Sequence, residues 1–267
     1  MYDLIAKAKG NVSKVSDSGR KLGYDEGYEV GKVSGNDYSL GFSEGKQAEY
    51  NATWDSGQQN GNLTACDNLF SGRFWNNDTF RPKYNMQPTG AYMMFRYNQY
   101  KGSLIELLKE QNVTLDFSKC TTANYCFSYS NFTEIGIVDL RGFSKSSKMA
   151  QTFAYNSKLK KIEKIYIKET TGYDAGFTGC TALEEVIFEG TIGVTGFNFS
   201  ACTLLNKQSI ESIINCLSTT TTGLTVSLSL TAVNNAFETA EGIADGSSSP
   251  EWTALSDTKT NWTISLI

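Results

Sequence analysis

Apolar residues recur along this chain in two rhythms, one with the period of a helix and one with the alternation of a strand. Leu104, Leu107 and Leu108 fall on one helical face after Ser103, which predicts a short capped helix over 103–110. Val113, Leu115 and Phe117 alternate with polar residues, as a half-buried strand does. Further strands are predicted near Ile135–Leu140, Ile162–Ile167 and Val186–Phe188. Ile210, Ile213, Ile214 and Leu217 line one face of a helix over 209–217. The remainder reads as strand, helix, helix, strand: Leu224–Leu228, Thr231–Glu238, the segment from Pro250 to Leu255, and Trp262–Leu266.

The strands from Ile135 onward follow copies of one phrase. Phe177-Thr-Gly-Cys180-Thr-Ala-Leu183-Glu-Glu-Val186-Ile-Phe188 is its clearest form, and Phe199-Ser-Ala-Cys202-Thr-Leu-Leu205 repeats its first half. Phe153 to Ile165 precedes it, with Asn156 at the cysteine position, and Phe127 to Ile137 is a looser copy with Ser130 there and Phe132 for leucine. A period of about 20–29 residues that ends in apolar alternation predicts a leucine-rich-repeat solenoid, whose units bury their apolar faces by stacking. The expected fold is therefore α+β: a helical region over 1–56, an aromatic N-terminal cap or linker over 57–98, a solenoid over 99–217 and an α/β C-terminal cap over 218–267. Leu69, Phe70, Phe74, Trp75, Phe80, Tyr84, Tyr92 and Phe95 supply the first cap, or alternatively a sugar-binding patch.

The first segment carries glycine on a four-residue beat at Gly19, Gly23, Gly27, Gly31 and Gly35, with Tyr24 and Tyr28 directly after two of them. In a helix this places the glycines nearly on one face. Each costs about 0.8–1 kcal/mol relative to alanine, so a partner must compensate. Close backbone approach is what a glycine stripe permits, and the interleaved charges point to protein rather than lipid. These residues are the expected oligomerisation or attachment face; a flexible glycine-rich leader is the alternative.

Composition narrows the chemistry. The net charge is −4 and the charged content 19%, which provides no basic surface for nucleic acid. The chain contains no histidine, so imidazole-dependent triads and the commonest zinc ligand are missing. Its six cysteines form no C-x-x-C pair and are expected as buried free thiols. No metal, cofactor or catalytic residue is assigned. Asp116, Asp139 and Glu134 are the nearest candidates for a glycosidase-like carboxylate pair. No window approaches the ~20 apolar residues of a membrane span, and the N-terminus lacks the apolar stretch of a signal peptide. The expectation is a chain made in a reducing cytosol and not exported by the general secretory route.

The Phe-x-x-Cys-x-x-Leu-x-x-Val/Ile phrase resembles the BspA-like class of leucine-rich repeats. Gly45-Lys-Gln-Ala-Glu-Tyr50 with Trp54-Asp55, then Phe80-Arg-Pro-Lys-Tyr84 and Asn261-Trp-Thr-Ile-Ser-Leu266, look like segments of structural and tail-associated proteins from phages of gut Firmicutes. That resemblance implies a virion location and no catalytic residues. It implies other virion proteins, or the chain itself, as partners of the N-terminal region, and a host-surface protein or glycan as ligand. The outward strand residues Lys164, Tyr166, Lys168, Glu185, Ile187 and Glu189 are the candidate contact surface. A structural decoration or assembly component and a bacterial surface adhesin are the alternatives.

Overall fold

The computed structural model describes residues 63–73, 75–83, 85–143, 151–169, 176–238 and 245–267. The glycine-beat face, Gly19, Gly23, Gly27, Gly31 and Gly35 with Tyr24 and Tyr28, lies outside the described residues. Eight strands are described: β1 (Leu63–Ala65), β2 (Met86–Gly90), β3 (Glu134–Asp139), β4 (Lys161–Ile167), β5 (Glu185–Gly190), β6 (Asn198–Phe199), β7 (Leu224–Leu228) and β8 (Trp262–Leu266). Four α-helices lie among the described residues: α1 (Leu104–Glu110), α2 (Lys207–Cys216), α3 (Leu230–Ala236) and α4 (Pro250–Ser256). Each is capped by the side chain of the residue before it: Ser103, Asn206, Ser229 and Ser249 accept from the N–H groups of Glu106, Ser209, Ala232 and Trp252.

This arrangement overturns the expected leucine-rich-repeat solenoid. The strands make three separate parallel sheets among the described residues, β1-β2, β3-β4-β5 and β6-β7-β8, and the architecture of those residues is α+β with small sheets and few helices. Two interruptions account for the difference. The segment Val113–Phe117 forms no strand beside β3; Leu115 makes an isolated bridge to Met86, and α1 is the element that contacts β3 on this side, with a cavity between them. At the other end the second sheet stops at β5, because α2 covers its edge. Val186 N donates to Ser209 Oγ at 2.9 Å and Phe188 N to Ser212 Oγ at 2.6 Å, so serine hydroxyls take the place of a further strand. Ser212 Oγ in turn donates to Phe188 O at 3.2 Å. Replacing Ser209 with alanine leaves a buried N–H without its acceptor, and chemical denaturation should register a loss of about 1–3 kcal/mol.

The repeated phrase does specify a stack within this architecture. Phe95, Phe127, Phe153, Phe177 and Phe199 are fully buried, and their rings lie face to face at 5.1, 5.6, 5.2 and 4.5 Å. Backbone bonds join successive turns: Phe95 N to Cys126 O, Phe127 N to Thr152 O and Phe153 N to Gly176 O, at 2.7, 2.8 and 3.1 Å. At positions 98, 180 and 202 the residue three places after a stacked Phe donates to the Phe carbonyl of the turn before. Asn98 Nδ2 donates to Phe70 O at 3.3 Å, Cys180 Sγ to Phe153 O at 3.1 Å and Cys202 Sγ to Phe177 O at 3.9 Å. That position needs a small donor, which explains why Asn, Ser and Cys exchange there. Ser130, the departure in the loosest copy, is buried, and its N and Oγ both donate to Asn156 Oδ1. Phe132 fills the space of the missing leucine against Phe80, Phe95 and Phe127.

The third sheet is tied to the end of α2. Lys259, 7% exposed, donates through Nζ to Asn215 O at 3.1 Å and Leu217 O at 2.6 Å. A cation is favoured beside these C-terminal helix carbonyls. Burial lowers the pKa of its ammonium. Asn261 Nδ2 and Trp262 Nε1 both donate to Ser218 O, at 2.8 and 2.9 Å.

Candidate binding surfaces

Two outward surfaces differ in how their polar groups are used. The first is the outer face of β3-β4-β5, where the sequence places its candidate contact residues. Parallel register sets Lys161 beside Glu185 and Tyr166 between Asp139 and Glu189. The charges consequently pair across strands: Lys161 with Glu185 at 2.9 Å, Lys164 with Glu189 at 2.9 Å and Lys160 with Glu184 at 3.4 Å. Arg141 grips Asp139 through Nε and Nη2 at 3.0 and 2.7 Å and lies over the Tyr166 ring at 4.7 Å. Lys164 also approaches that ring, at 5.4 Å. Lys168 is exposed and Ile187 half-buried. The structure therefore gathers Lys164, Tyr166, Glu185 and Glu189 on one face, but as a self-neutralised lattice.

Two of the acids considered for catalysis, Asp116 and Asp139, are likewise engaged by neighbouring donors. Asp116 accepts from Gln87 Nε2 at 2.6 Å, Ser118 N at 2.8 Å and Ser118 Oγ at 2.9 Å. Burial pushes both the Asp116 and Asp139 carboxyls upward, but hydrogen bonds outweigh it and hold both below the ordinary range. For Asp139 the donors are the side chain and backbone N–H of Arg141. A glycosidase proton donor needs the opposite shift. Because the folded pKa values are depressed, these two groups stabilise the fold above the unfolded aspartate pKa of about 3.9 and lose that contribution as pH falls through the folded values. Acid titration of the unfolding midpoint should accordingly show a steeper decline below about pH 4 in the wild type than in Asp139→Asn.

None of the six cysteines forms a disulfide, and five are buried and Cys216 partly so. Burial raises every one of their pKa values, to about 11 for Cys120 and about 12 for Cys180. Thiolate is the reactive form, so a thiol reagent at neutral pH should modify Cys216 first and the other five only on unfolding. Simultaneous modification of all six in the native protein would contradict this packing. Among the described residues no group of three or more His, Cys, Asp or Glu side chains is placed to hold a metal ion, and no helix is long and apolar enough to cross a membrane.

The second surface was not singled out from the sequence. Tyr97, Tyr129 and Tyr155 each follow a stacked Phe by two residues, and their rings stack at 5.1 and 4.6 Å. Because one turn lies on the next, a ladder of buried Phe inside generates a parallel ladder of Tyr outside. Tyr129 is 37% exposed, Tyr155 42% and Tyr92 37%. Tyr92 meets Tyr125 edge to face at 6.4 Å. Arg96 sits among these rings, its guanidinium carbon 4.8 Å from the centre of Tyr97, 4.9 Å from Tyr125 and 5.9 Å from Tyr129. Met93, Tyr97, Tyr125, Tyr129, Gln151 and Tyr155 all have φ between 53° and 62°, a left-handed conformation unfavourable for residues with large side chains. Gly179 continues the Tyr position with φ of 76° and closes the stack, since a Cβ there would meet Tyr155 Cδ1 at 3.0 Å. The signal was present in the sequence as Phe-x-Tyr at 95–97, 127–129 and 153–155.

Family models, curated proteins and solved structures yield no match to this chain.

Proposed function

We propose that this chain is a non-enzymatic binding protein of a virus particle, which recognises a bacterial surface through the tyrosine and arginine ridge. The observation that carries the reading is the ridge itself: a row of stacked rings, exposed at Tyr129 and Tyr155, beside a cation that pairs with no carboxylate among the described residues. Rigid aromatic side chains provide contact area at low entropic cost and are enriched where proteins recognise partners. Residues held in left-handed backbone against their preference concentrate at functional positions. The virion setting is supported by the stretches that resemble phage structural proteins of gut Firmicutes. Other virion proteins, or further copies of the chain, are the proposed partners of the glycine-patterned segment.

The test is adsorption of the fluorescently labelled full chain to gut Firmicutes cells, compared with a Tyr129→Ala, Tyr155→Ala double variant. Saturable adsorption by the wild type, reduced at least tenfold in the folded variant, is expected, about 1.4 kcal/mol or more. Equal adsorption by both proteins would remove the ridge from the binding role. No adsorption by the wild type, with its fold intact, would favour a structural component of the particle.

A further inference from the structure

The geometry points to an anionic saccharide, one bearing carboxylate or phosphate groups, as the ligand of this ridge; the inference rests on the binding role proposed above. Arg96 supplies the charge argument. Its Nη1 donates to Met93 Sδ at 3.5 Å and its Nη2 to Tyr97 Oη at 3.2 Å, while Nε is buried and meets no acceptor. A guanidinium carries five N–H donors; with two engaged and Nε shut off from solvent, one N–H on each Nη remains for a ligand, and neither of the two acceptors is an anion. The contrast with the strand face is direct, since Arg141, Lys160, Lys161 and Lys164 all pair with carboxylates there. Ring faces help hold the cation in place, but they leave its hydrogen-bonding valence for an oxyanion, which arginine binds in a planar fork.

The tyrosines supply the saccharide argument. Their ring pitch of 5.1 and 4.6 Å is close to the length of a single sugar ring. Face-to-face stacking turns their edges outward, so the ridge offers ring borders and phenol hydroxyls that both donate and accept. A peptide adding as a strand would need free backbone groups. Here they are spent between turns: Met93 N on Asn124 O, Tyr97 N on Ser128 O, Tyr129 N on Ala154 O and Tyr155 N on Thr178 O. A chain of hydroxyl groups with periodic negative charge suits such a surface better than a polypeptide does. Nucleic acid would demand several cations along its backbone, and Arg96 is the one that this ridge is built around.

Titration calorimetry of the full chain tests the assignment with four probes of matched length: a glucuronate-containing octasaccharide, a phosphodiester-linked N-acetylglucosamine oligomer, maltooctaose, and poly-glutamate. At least one of the first two should bind saturably and at least tenfold more tightly than maltooctaose and poly-glutamate, and which one does separates a carboxylate from a phosphate source. Arg96→Gln should bring anionic and neutral sugars to the same affinity. Arg96→Lys, which keeps the charge but not the fork, should weaken the anionic sugar about tenfold. Tyr155→Phe, a change at the exposed end of the stack, should weaken all sugars with an unchanged unfolding midpoint, and it decides the matter if the Arg96 variants fail to fold. Equal binding of maltooctaose would overturn the anionic requirement, and strongest binding of poly-glutamate would replace the sugar with an acidic peptide. If no saccharide binds while the chain still adsorbs to cells, the saccharide assignment fails and the binding role stands. If the chain does neither, both fail.

Discussion

Phe127→Ala should destabilise the protein by about 3–5 kcal/mol, the largest loss expected from any single side-chain truncation here. Phe127 is fully buried. Its ring stacks between Phe95 at 5.1 Å and Phe153 at 5.6 Å, and it also meets Phe117 at 5.9 Å and Phe132 at 6.4 Å. Truncation removes the transfer free energy of the ring and leaves a cavity whose walls are rings already fixed by one another. They relax poorly, which places the loss at the upper part of the usual range for such changes. Against a typical total stability of 5–15 kcal/mol, many molecules would be unfolded at growth temperature. Phe127→Leu should cost much less, since it retains most of the apolar volume. Urea denaturation of the three proteins checks the claim. A loss under about 1 kcal/mol for the alanine variant would mean that the stack does not hold the fold together.

Gly190→Ala is the second large effect, with an expected loss of about 3 kcal/mol or more. Gly190 ends β5 with φ of 115°, and a Cβ there would lie 1.9 Å from Ile167 O. The obstruction is backbone in the paired strand β4, so no rotamer change relieves it. Gly223 provides the control: its φ is 73°, but a Cβ there meets nothing within 4 Å. Gly223→Ala should therefore cost only the conformational strain, about 1 kcal/mol. Similar losses in the two variants would show that backbone angle, and not the contact with Ile167, dominates at Gly190. The distinction locates the point where the chain must leave the second sheet on its way to β6.

The periodic sequence disclosed local structure well and the architecture poorly. Apolar spacing identified α1, α2 and the strands β3, β4, β5, β7 and β8 to within a few residues, because each buries one face and its side chains alternate accordingly. The solenoid failed because repetition of a phrase fixes what stacks, whereas strand pairing depends on which edges stay free. Ser209 and Ser212 close the edge of β5, and nothing in the pattern of a helix rich in isoleucine announces that two of its hydroxyls will do so. The strand expected at Val113–Phe117 has the correct alternation but lacks a partner beside β3, because α1 takes that place.

The surface shows the same division. Lys164, Tyr166, Glu185 and Glu189 were legible as outward strand residues, yet parallel register sets lysine against glutamate and neutralises them. The Tyr ridge was legible only as an arithmetic consequence of the Phe stack: whatever lies two residues after a stacked Phe must itself form a row. Arg96 was not legible at all, since its three aromatic neighbours come from two separate turns.

Which surface meets the ligand decides the function, and hydroxyl-radical footprinting of tyrosine and isoleucine side chains on cell-bound protein measures it directly. Tyr92, Tyr129 and Tyr155 should lose labelling on binding, while Tyr166 and Ile187 on the β3-β4-β5 face retain it. Protection of Tyr166 and Ile187 with undiminished labelling of the ridge would contradict the account.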